Sequence, residues 1–307
     1  MNTDLGLLFP GQGSQSVGMG ADLYDRYPKA RDVFDRATDT LEFDVKKLCF
    51  DGPDELLRQT RNTQPAILTH SLAVLSLLPE MNPVCVAGHS LGEYSALYAA
   101  GALDFPSVLK LVQRRGALMF AAGEKNPGTM AAIIGLDSTA VEQLCSEVQG
   151  TVVPANYNEP RQTVISGEVE AVKTAVELAR SRGALKAVLL PVSGAFHSPL
   201  LADSAAEFVD FMGQFEFHDP RCPVVANVTG RPVSTADEIR TLLARQLVSP
   251  VRWVETIGSA KALGCRRFLE LGPGQVLAGL GKRIDRDLPV RSVGKVADVE
   301  SVLAEGI

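Results

Sequence analysis

The chain has 307 residues and a formal charge of −6, from 30 Lys and Arg against 36 Asp and Glu. Its composition, 46% hydrophobic and 21% charged, excludes a disordered or fibrous protein, and its length predicts two domains or one large domain with an insertion. No basic stripe is present to neutralise phosphates, so nucleic acid is not an expected partner.

Short apolar runs of strand length alternate with segments of helical periodicity. Four runs that are closed by glycine or Pro-Gly predict buried strands: Leu5–Phe9, 84–87, 224–228 and Arg267–Leu271. Helical stretches between them include 67–78 and 105–120. This alternation predicts an α/β fold with a mostly parallel sheet and helices on both faces.

The middle of the chain follows a different order. After a turn-like segment at 123–128, the pattern predicts strand, helix, strand, strand, helix and strand at 129–135, 138–148, 151–155, 162–166, 169–182 and 184–192. This βαββαβ order is ferredoxin-like. We therefore predict a large subdomain of residues 1–126 and 194–307, with a small subdomain of residues 127–193 inserted into it. A cleft between the two is the expected place for a site.

Cysteine and histidine spacing bears on compartment and metals. The five cysteines are widely spaced and mostly lie in apolar runs, which is typical of reduced thiols in a cytoplasmic protein. There is no CxxC, HxxxH or HExxH spacing, so no metal site is expected. The N-terminal apolar run ends at Pro10, too early for a signal peptide, and no run is long enough for a membrane span.

The strongest chemical signal is the G-x-S-x-G motif at 88–92, which has Ser90 at its centre. It follows a predicted strand and precedes a predicted helix at 93–100, the context of a nucleophile elbow. There a serine hydroxyl is exposed, and the helix N-terminus offers N–H groups to an oxyanion. A glycine-rich turn with a capping serine is the alternative.

A serine nucleophile needs a base, and the chain has four histidines. His89 abuts Ser90 on the same tight turn, His70 lies on a predicted helix, and His218 lies in a polar turn. His197 follows the end of a predicted strand at the junction of the two subdomains. Its position favours His197 as the general base.

Gln12 and Arg115 are two further candidate site residues. The loop 11–15 follows the first strand and lacks the spacing of a phosphate-binding loop, so Gln12 is either an oxyanion donor or part of a plain turn. Arg115 lies within an apolar stripe on the helix at 105–120, where a cation is costly unless paired. It is either a member of an internal ion pair with Asp or Glu, or a receptor for a substrate carboxylate.

Seven motifs occur along the chain in a fixed order: FPGQGSQ at 9–15, TQPA at 63–66, GHSLGEY at 88–94, RG at 115–116, FHS at 196–198, RQL at 245–247 and ELGPG at 270–274. Together they resemble the malonyl-CoA:acyl carrier protein transacylases of fatty acid synthesis over essentially the whole chain. The resemblance implies an α/β-hydrolase-like core with an inserted ferredoxin-like subdomain. Residues from about 36 to 60 and the last ~20 match no motif of the family.

The same resemblance implies a role for each motif residue. Ser90 would become malonylated, His197 would be its base, and the backbone carbonyl of Gln246 would orient His197, so that no triad carboxylate is needed. The backbone N–H groups of Leu91 and Gln12 would form the oxyanion hole.

Three residues would contact the substrate. Arg115 would hold the malonyl carboxylate, and Gln64 would also bind substrate. Phe196 matches the variant of its motif that is associated with malonyl rather than branched extender units.

The implied reaction is ping-pong transfer of malonyl from malonyl-CoA to the phosphopantetheine thiol of acyl carrier protein, by a monomer, with no metal or redox cofactor. The carrier protein is acidic in this family. Because this chain is also acidic overall, the resemblance implies a local basic patch where the carrier docks. Two clusters are candidates: Lys282, Arg283 and Arg286, or Arg180, Arg182 and Lys186.

Three alternatives remain. A stand-alone acyltransferase that serves a polyketide synthase or a malonate-metabolising complex would use the same chemistry with another carrier. A serine hydrolase or thioesterase shares G-x-S-x-G, but Arg115 and the missing triad acid count against it. A non-catalytic carrier-binding module conflicts with an intact Ser90, His197 and Arg115.

Overall fold

The computed structural model describes residues 4–192 and 194–305. Its strands are β1 (Leu5–Phe9), β2 (Cys85–Gly88), β3 (Gly128–Ile134), β4 (Val152–Glu159), β5 (Gln162–Glu168), β6 (Lys186–Leu189), β7 (Val224–Ala226), β8 (Arg231–Val233), β9 (Arg267–Leu271) and β10 (Val290–Val293).

The α-helices are α1 (Ala21–Arg26), α2 (Pro28–Leu41), α3 (Val45–Asp51), α4 (Asp54–Arg58), α5 (Thr60–Leu77), α6 (Gly92–Ala99), α7 (Phe105–Lys125), α8 (Ser138–Glu147), α9 (Val169–Ser181), α10 (Ala202–Met212), α11 (Ala236–Gln246), α12 (Trp253–Ala262), α13 (Val276–Ile284) and α14 (Val296–Glu305). A short 3₁₀ helix spans Pro199–Leu201.

The larger sheet has the order β10-β9-β1-β2-β7-β8, and its strands pair in parallel except for β8. Its two faces bury different side chains. Leu7 and Phe9 of β1 belong to one hydrophobic cluster, whereas Leu8 belongs to another on the opposite face. Because helices cover both faces, the central strands read as continuous apolar runs rather than alternating ones.

The smaller sheet is antiparallel, with the order β4-β5-β3-β6. Its core is formed with α8 and α9, and Ile133, Leu144 and Ile165 are fully buried there. The predicted α/β class, with a mostly parallel sheet and a small ferredoxin-like unit, is confirmed. The subdomain boundaries at 126/127 and 193/194 remain predictions. Ser193 lies outside the described residues, as do 1–3 and 306–307.

Several elements differ from the prediction. The strand expected at 224–228 ends at Ala226, because the chain turns through Gly230 into β8. Helix α5 begins at Thr60 instead of 67, since its first turn is polar and shows no apolar period. The strand expected at 184–192 is confined to Lys186–Leu189. Strands β8 and β10 were not predicted.

Main-chain bonds join β4 to the segment before α12, beside the cleft. Val251, which precedes α12, donates its N–H to Ala155 O at 2.8 Å and accepts from Tyr157 N at 2.9 Å. The His89 ring bonds Asn158 Oδ1 at 2.8 Å. Strand β4 is therefore bonded both to the segment before α12 and to the elbow that follows β2. Among the described residues, no helix is long and apolar enough to cross a membrane.

Ile133→Ala should lower the free energy of unfolding by about 2–5 kcal/mol, because the substitution leaves a cavity in the core of the small sheet. Leu185→Ala is the matched control, since Leu185 is 80% exposed and its loss should change stability by less than about 0.5 kcal/mol. Urea unfolding followed by circular dichroism measures both. Equal effects would contradict the assignment of this core.

Candidate active site

Ser90 lies in a sharp turn between β2 and α6 and has a φ of 51°, in the left-handed region. The flanking glycines allow this turn. A Cβ on Gly92 would lie 2.0 Å from Phe9 O, and a Cβ on Gly88 would lie 1.9 Å from the carbonyl carbon of Gly92. The Ser90 N–H is held by Asn227 Oδ1 at 2.7 Å. The turn therefore has the geometry of a nucleophile elbow.

His197 faces this serine, with its Nε2 at 2.7 Å from Ser90 Oγ. Its Nδ1 lies 3.0 Å from Gln246 O and 3.1 Å from Ser249 O. Because both partners of Nδ1 are acceptors, we assign the proton to Nδ1, which leaves Nε2 free to accept from the serine hydroxyl. Gln246 is the last residue of α11, where helix carbonyls lack an intrahelical partner.

The imidazole of His197 is neutral at physiological pH. Burial, together with the positive charge of Arg115, lowers its pKa to about 3. An uncharged ring can accept the serine proton without first losing one. The carboxyl-terminal end of α11 favours the cation formed during that transfer.

Arg115 is buried in α7, with 1% of its surface exposed. Its guanidinium donates to Gln64 Oε1 at 2.6 Å and to Ser90 Oγ at 3.0 Å, and its central carbon lies 5.5 Å from the centre of the Tyr94 ring. Its Nε has no hydrogen-bond partner in the part of the chain that the structure describes. Burial lowers the pKa of Arg115.

The ion pair that the sequence left open for Arg115 is not formed. Within residues 4–192 and 194–305, no Asp or Glu oxygen lies within 4.0 Å of its guanidinium. Its hydrogen-bond acceptors, Gln64 and Ser90, are neutral. The cation thus lies next to the nucleophile without a carboxylate in direct contact, and Glu93 acts on it only from a greater distance.

These groups line a cavity of about 110 Å³ between the two sheets. The lining residues are Gln12, Gln64, His89, Ser90, Leu91, Arg115, Met119, Met130, Asn156, Leu190, Val192, Phe196 and His197. Every predicted site residue is among them except Gln246, which is buried behind His197. His70 is buried elsewhere and His218 is exposed.

Two main-chain N–H groups beside the cavity have no partner among the described residues. They belong to Leu91, at the N-terminus of α6, and to Gln12. The Gln12 side chain is held through its Oε1 by Thr60 Oγ1 at 2.8 Å. A serine hydroxyl bonded to a neutral imidazole beside unpaired N–H donors is suited to acyl transfer.

The sequence analysis missed three residues around this site. Asn227 bonds the main chain of the elbow, Glu93 bonds both Asn227 and Gln246, and Ser249 supplies the second carbonyl to His197. Glu93 was visible only as part of GHSLGEY, and Asn227 as a polar residue at the end of a predicted strand. Ser249 acts through its main-chain carbonyl, so no side-chain pattern in the sequence points to it. The described residues contain no cluster of His, Cys, Asp and Glu that could hold a metal ion.

Known proteins are similar to this chain over nearly its full length. The model of the acyl transferase domain matches residues 7–300. The malonyl CoA-acyl carrier protein transacylase of Bacillus subtilis (strain 168) is 43% identical over 301 residues, covering 96% of this chain and 95% of that protein. The protein of the same name from Staphylococcus aureus (strain MRSA252) is 40% identical over 297 residues, covering 96% of each.

Among solved structures, a malonyl-transacylase in complex with its type II PKS acyl-carrier protein superposes with a TM-score of 0.95. It is 41% identical, and the match covers 99% of this chain and 100% of that one. The chain belongs to the acyl transferase family and, within it, to the malonyl CoA-acyl carrier protein transacylases.

Proposed function

We propose that the protein is an [acyl-carrier-protein] S-malonyltransferase, which moves malonyl from malonyl-CoA to the phosphopantetheine thiol of acyl carrier protein for fatty acid synthesis. The names of its relatives support this activity. One observation of this chain carries it: the unpaired Arg115 guanidinium lies 3.0 Å from Ser90 Oγ. An acyl group bound to this serine with a free carboxylate would meet a cation that has no carboxylate in direct contact with it.

In the first half-reaction, Ser90 Oγ attacks the thioester carbonyl of malonyl-CoA while His197 Nε2 takes the hydroxyl proton. The carbonyl oxygen becomes an oxyanion, for which the N–H groups of Leu91 and Gln12 are the donors. As the intermediate collapses, the carbon–sulfur bond breaks and the proton passes from His197 to the departing sulfur. CoA leaves, and malonyl remains on Ser90 as an ester.

The second half-reaction reverses the roles with a different thiol. The phosphopantetheine thiol gives its proton to His197, and its sulfur attacks the ester carbonyl. Ser90 Oγ then leaves and recovers the proton. In each half-reaction His197 takes up one proton and gives it to the leaving group, so it is neutral again before the next half begins, and our proposal includes no metal or redox cofactor.

Arg115 has two effects in this scheme. Its guanidinium pairs with the malonyl carboxylate, and Gln64 holds the guanidinium in place at 2.6 Å. Its charge also lowers the pKa of His197. A bound malonyl carboxylate offsets that charge, so the base becomes stronger when the correct substrate is present. Phe196, buried beside His197, forms part of the apolar wall around the acyl group.

The acceptor in this proposal is an acyl carrier protein of fatty acid synthesis. A polyketide synthase carrier is the second candidate, because one similar structure is a complex with a type II PKS acyl-carrier protein. Of the two basic clusters, we favour Lys282, Arg283 and Arg286 on and after α13. Arg283 lies 3.4 Å from Glu159, which is adjacent to Asn158, the partner of His89 in the elbow motif.

We also propose a cytoplasmic location. All five cysteines are free, and Cys85 and Cys265 are buried as separate thiols with sulfur atoms 3.5 Å apart. Thiols kept in this form are typical of a reducing compartment.

Malonyl-CoA alone should leave a malonyl ester on Ser90, because the second thiol is needed to remove it. Mass spectrometry of the digested protein should show the added mass on the peptide that contains Ser90. Ser90→Ala should acquire no label. A label on that variant would contradict the assignment of the nucleophile.

His197→Ala should slow ester formation by about 10²- to 10⁴-fold, the usual contribution of a general base. The matched control is His218→Ala, which changes an exposed histidine and should leave the rate unchanged. Rapid-quench measurement of the Ser90 ester gives both rates. Similar losses in the two variants would count against His197 as the base.

Arg115→Ala should reduce malonyl transfer by about 10²- to 10³-fold, since the substrate carboxylate then lacks its charged partner. Transfer of acetyl should be kept or increased, because the pocket no longer holds an unpaired cation. Lysine should rescue only in part, because it lacks the planar fork of arginine.

The measurement is a competition between malonyl-CoA and acetyl-CoA. Arg114→Ala is the control: Arg114 is adjacent in the chain but pairs with Glu207 at the surface. If both acyl groups are affected equally by Arg115→Ala, the residue is structural rather than a carboxylate receptor.

A further inference from the structure

Gln246 holds His197 through its main-chain carbonyl, and its side chain forms two further hydrogen bonds. Gln246 Nε2 donates to Glu93 Oε2 at 2.5 Å and to Ser90 O at 3.1 Å. Glu93 follows the nucleophile by three residues and is 4% exposed. A buried carboxylate thus bonds the side chain of the residue whose carbonyl holds the base, and the same amide also bonds the main chain of the serine.

The second oxygen of this carboxylate reaches the other side of the elbow. Glu93 Oε1 accepts from Asn227 N at 3.4 Å. The Asn227 side chain accepts from Ser90 N at 2.7 Å and donates to Gly88 O at 2.7 Å. One carboxylate therefore joins Gln246, which fixes His197, to Asn227, which fixes the main chain of Ser90.

The charges around Glu93 come from the elements packed against it. Arg115 on α7 acts on the carboxyl and favours its ionised form, His197 lies beyond Gln246, and Tyr94 is adjacent in α6. Burial opposes ionisation more strongly and raises the pKa of Glu93 to about 7. Both protonation states of Glu93 are therefore accessible at the pH values where the enzyme can be assayed.

A second arrangement is available to the protonated form. Gln246 Oε1 is buried and has no hydrogen-bond partner in the described part of the chain. A protonated Glu93 carries an O–H donor that can bond this oxygen if the Gln246 amide turns over. After that rotation Gln246 Nε2 would no longer lie near Ser90 O, and the hydrogen bond between Gln246 and the elbow would be lost.

We propose that Glu93, in its ionised form, is a positioning residue for malonyl transfer. It clamps Gln246 and Asn227, and through them it fixes the Gln246 carbonyl that orients His197 and the main chain that presents Ser90. In a catalytic triad the acid bonds the imidazole directly. Glu93 instead acts on His197 indirectly, through Gln246. This inference rests on the proposed function.

The proposal predicts how ester formation depends on pH. The clamp is complete above the pKa of Glu93 and is lost as pH falls through about 7. The wild-type rate of Ser90 malonylation should therefore fall to a lower plateau in acid. Glu93→Gln should give a rate about 10- to 100-fold lower than that of wild type at pH 8, and that rate should be independent of pH.

The experiment is rapid-quench measurement of the Ser90 ester from pH 5.5 to 8.5, with malonyl-CoA and no carrier, so that no acceptor thiol titrates. Varying malonyl-CoA separates binding from acylation. Glu93→Gln should lower the acylation rate constant and change the dissociation constant less than about threefold, since Glu93 does not line the cavity. Glu170→Gln, a change at an exposed carboxylate, is the control and should match wild type.

Glu93→Asp keeps the charge on a shorter side chain and should restore part of the rate and the pH dependence. A pH-independent wild-type rate, or a Glu93→Gln profile that parallels the wild-type one, would overturn the proposal. The wild-type profile tests it even if the variants fold poorly, which thermal unfolding detects. If the wild type forms no Ser90 ester at all, the proposed function itself fails, and the two failures are therefore distinct.

Discussion

The buried guanidinium of Arg115 is the charge around which the cavity is organised. Removing a cation from water is costly, and here the cost is offset by neutral acceptors, Gln64 and Ser90, together with the face of Tyr94. The nearby buried carboxylate, Glu93, is bonded instead to Gln246 and Asn227. Because these two opposite charges have separate partners, the cation remains available to an anionic substrate.

The polar groups converge because of the topology of the large sheet. Strands β1 and β2 are parallel neighbours, so Gln12 after one and Ser90 after the other emerge at the same edge. Asn227 follows β7, which pairs with β2 on its other side. The small sheet covers this edge with Met130 and Asn156, which limits the access of water to the serine.

The parts of the site that were predictable are those with local causes. The elbow follows from a glycine-serine-glycine pattern between a strand and a helix, and the inward face of Arg115 follows from its phase on α7. Gln246 and Ser249 act through main-chain carbonyls, which side-chain patterns do not reveal, so Gln246 came only from the resemblance. Asn227 and Glu93 are 134 residues apart, and only the folded chain shows that they meet.

The elements of the fold that could be predicted are likewise those whose own residues carry a clear pattern. Buried central strands such as β1 have a clear apolar signature, whereas the short strand β8, at the sheet edge, carries Arg231 and Pro232 and has none. The polar start of α5 also lacks an apolar signature: Thr60 and Gln64 bond the side chains of Gln12 and Arg115 there.

The bonds of β4 to Val251 and to His89 bear on how far the small sheet can move. A hinge that swung the small sheet away would have to break both main-chain bonds of Val251 as well as the bond between His89 and Asn158. Val251 is only two residues from Ser249, which holds His197. Such an opening would disturb the base each time. The bonds that hold β4 beside the elbow therefore lie next to the segment that orients the base, so the position of the small sheet and the orientation of His197 depend on the same stretch of chain.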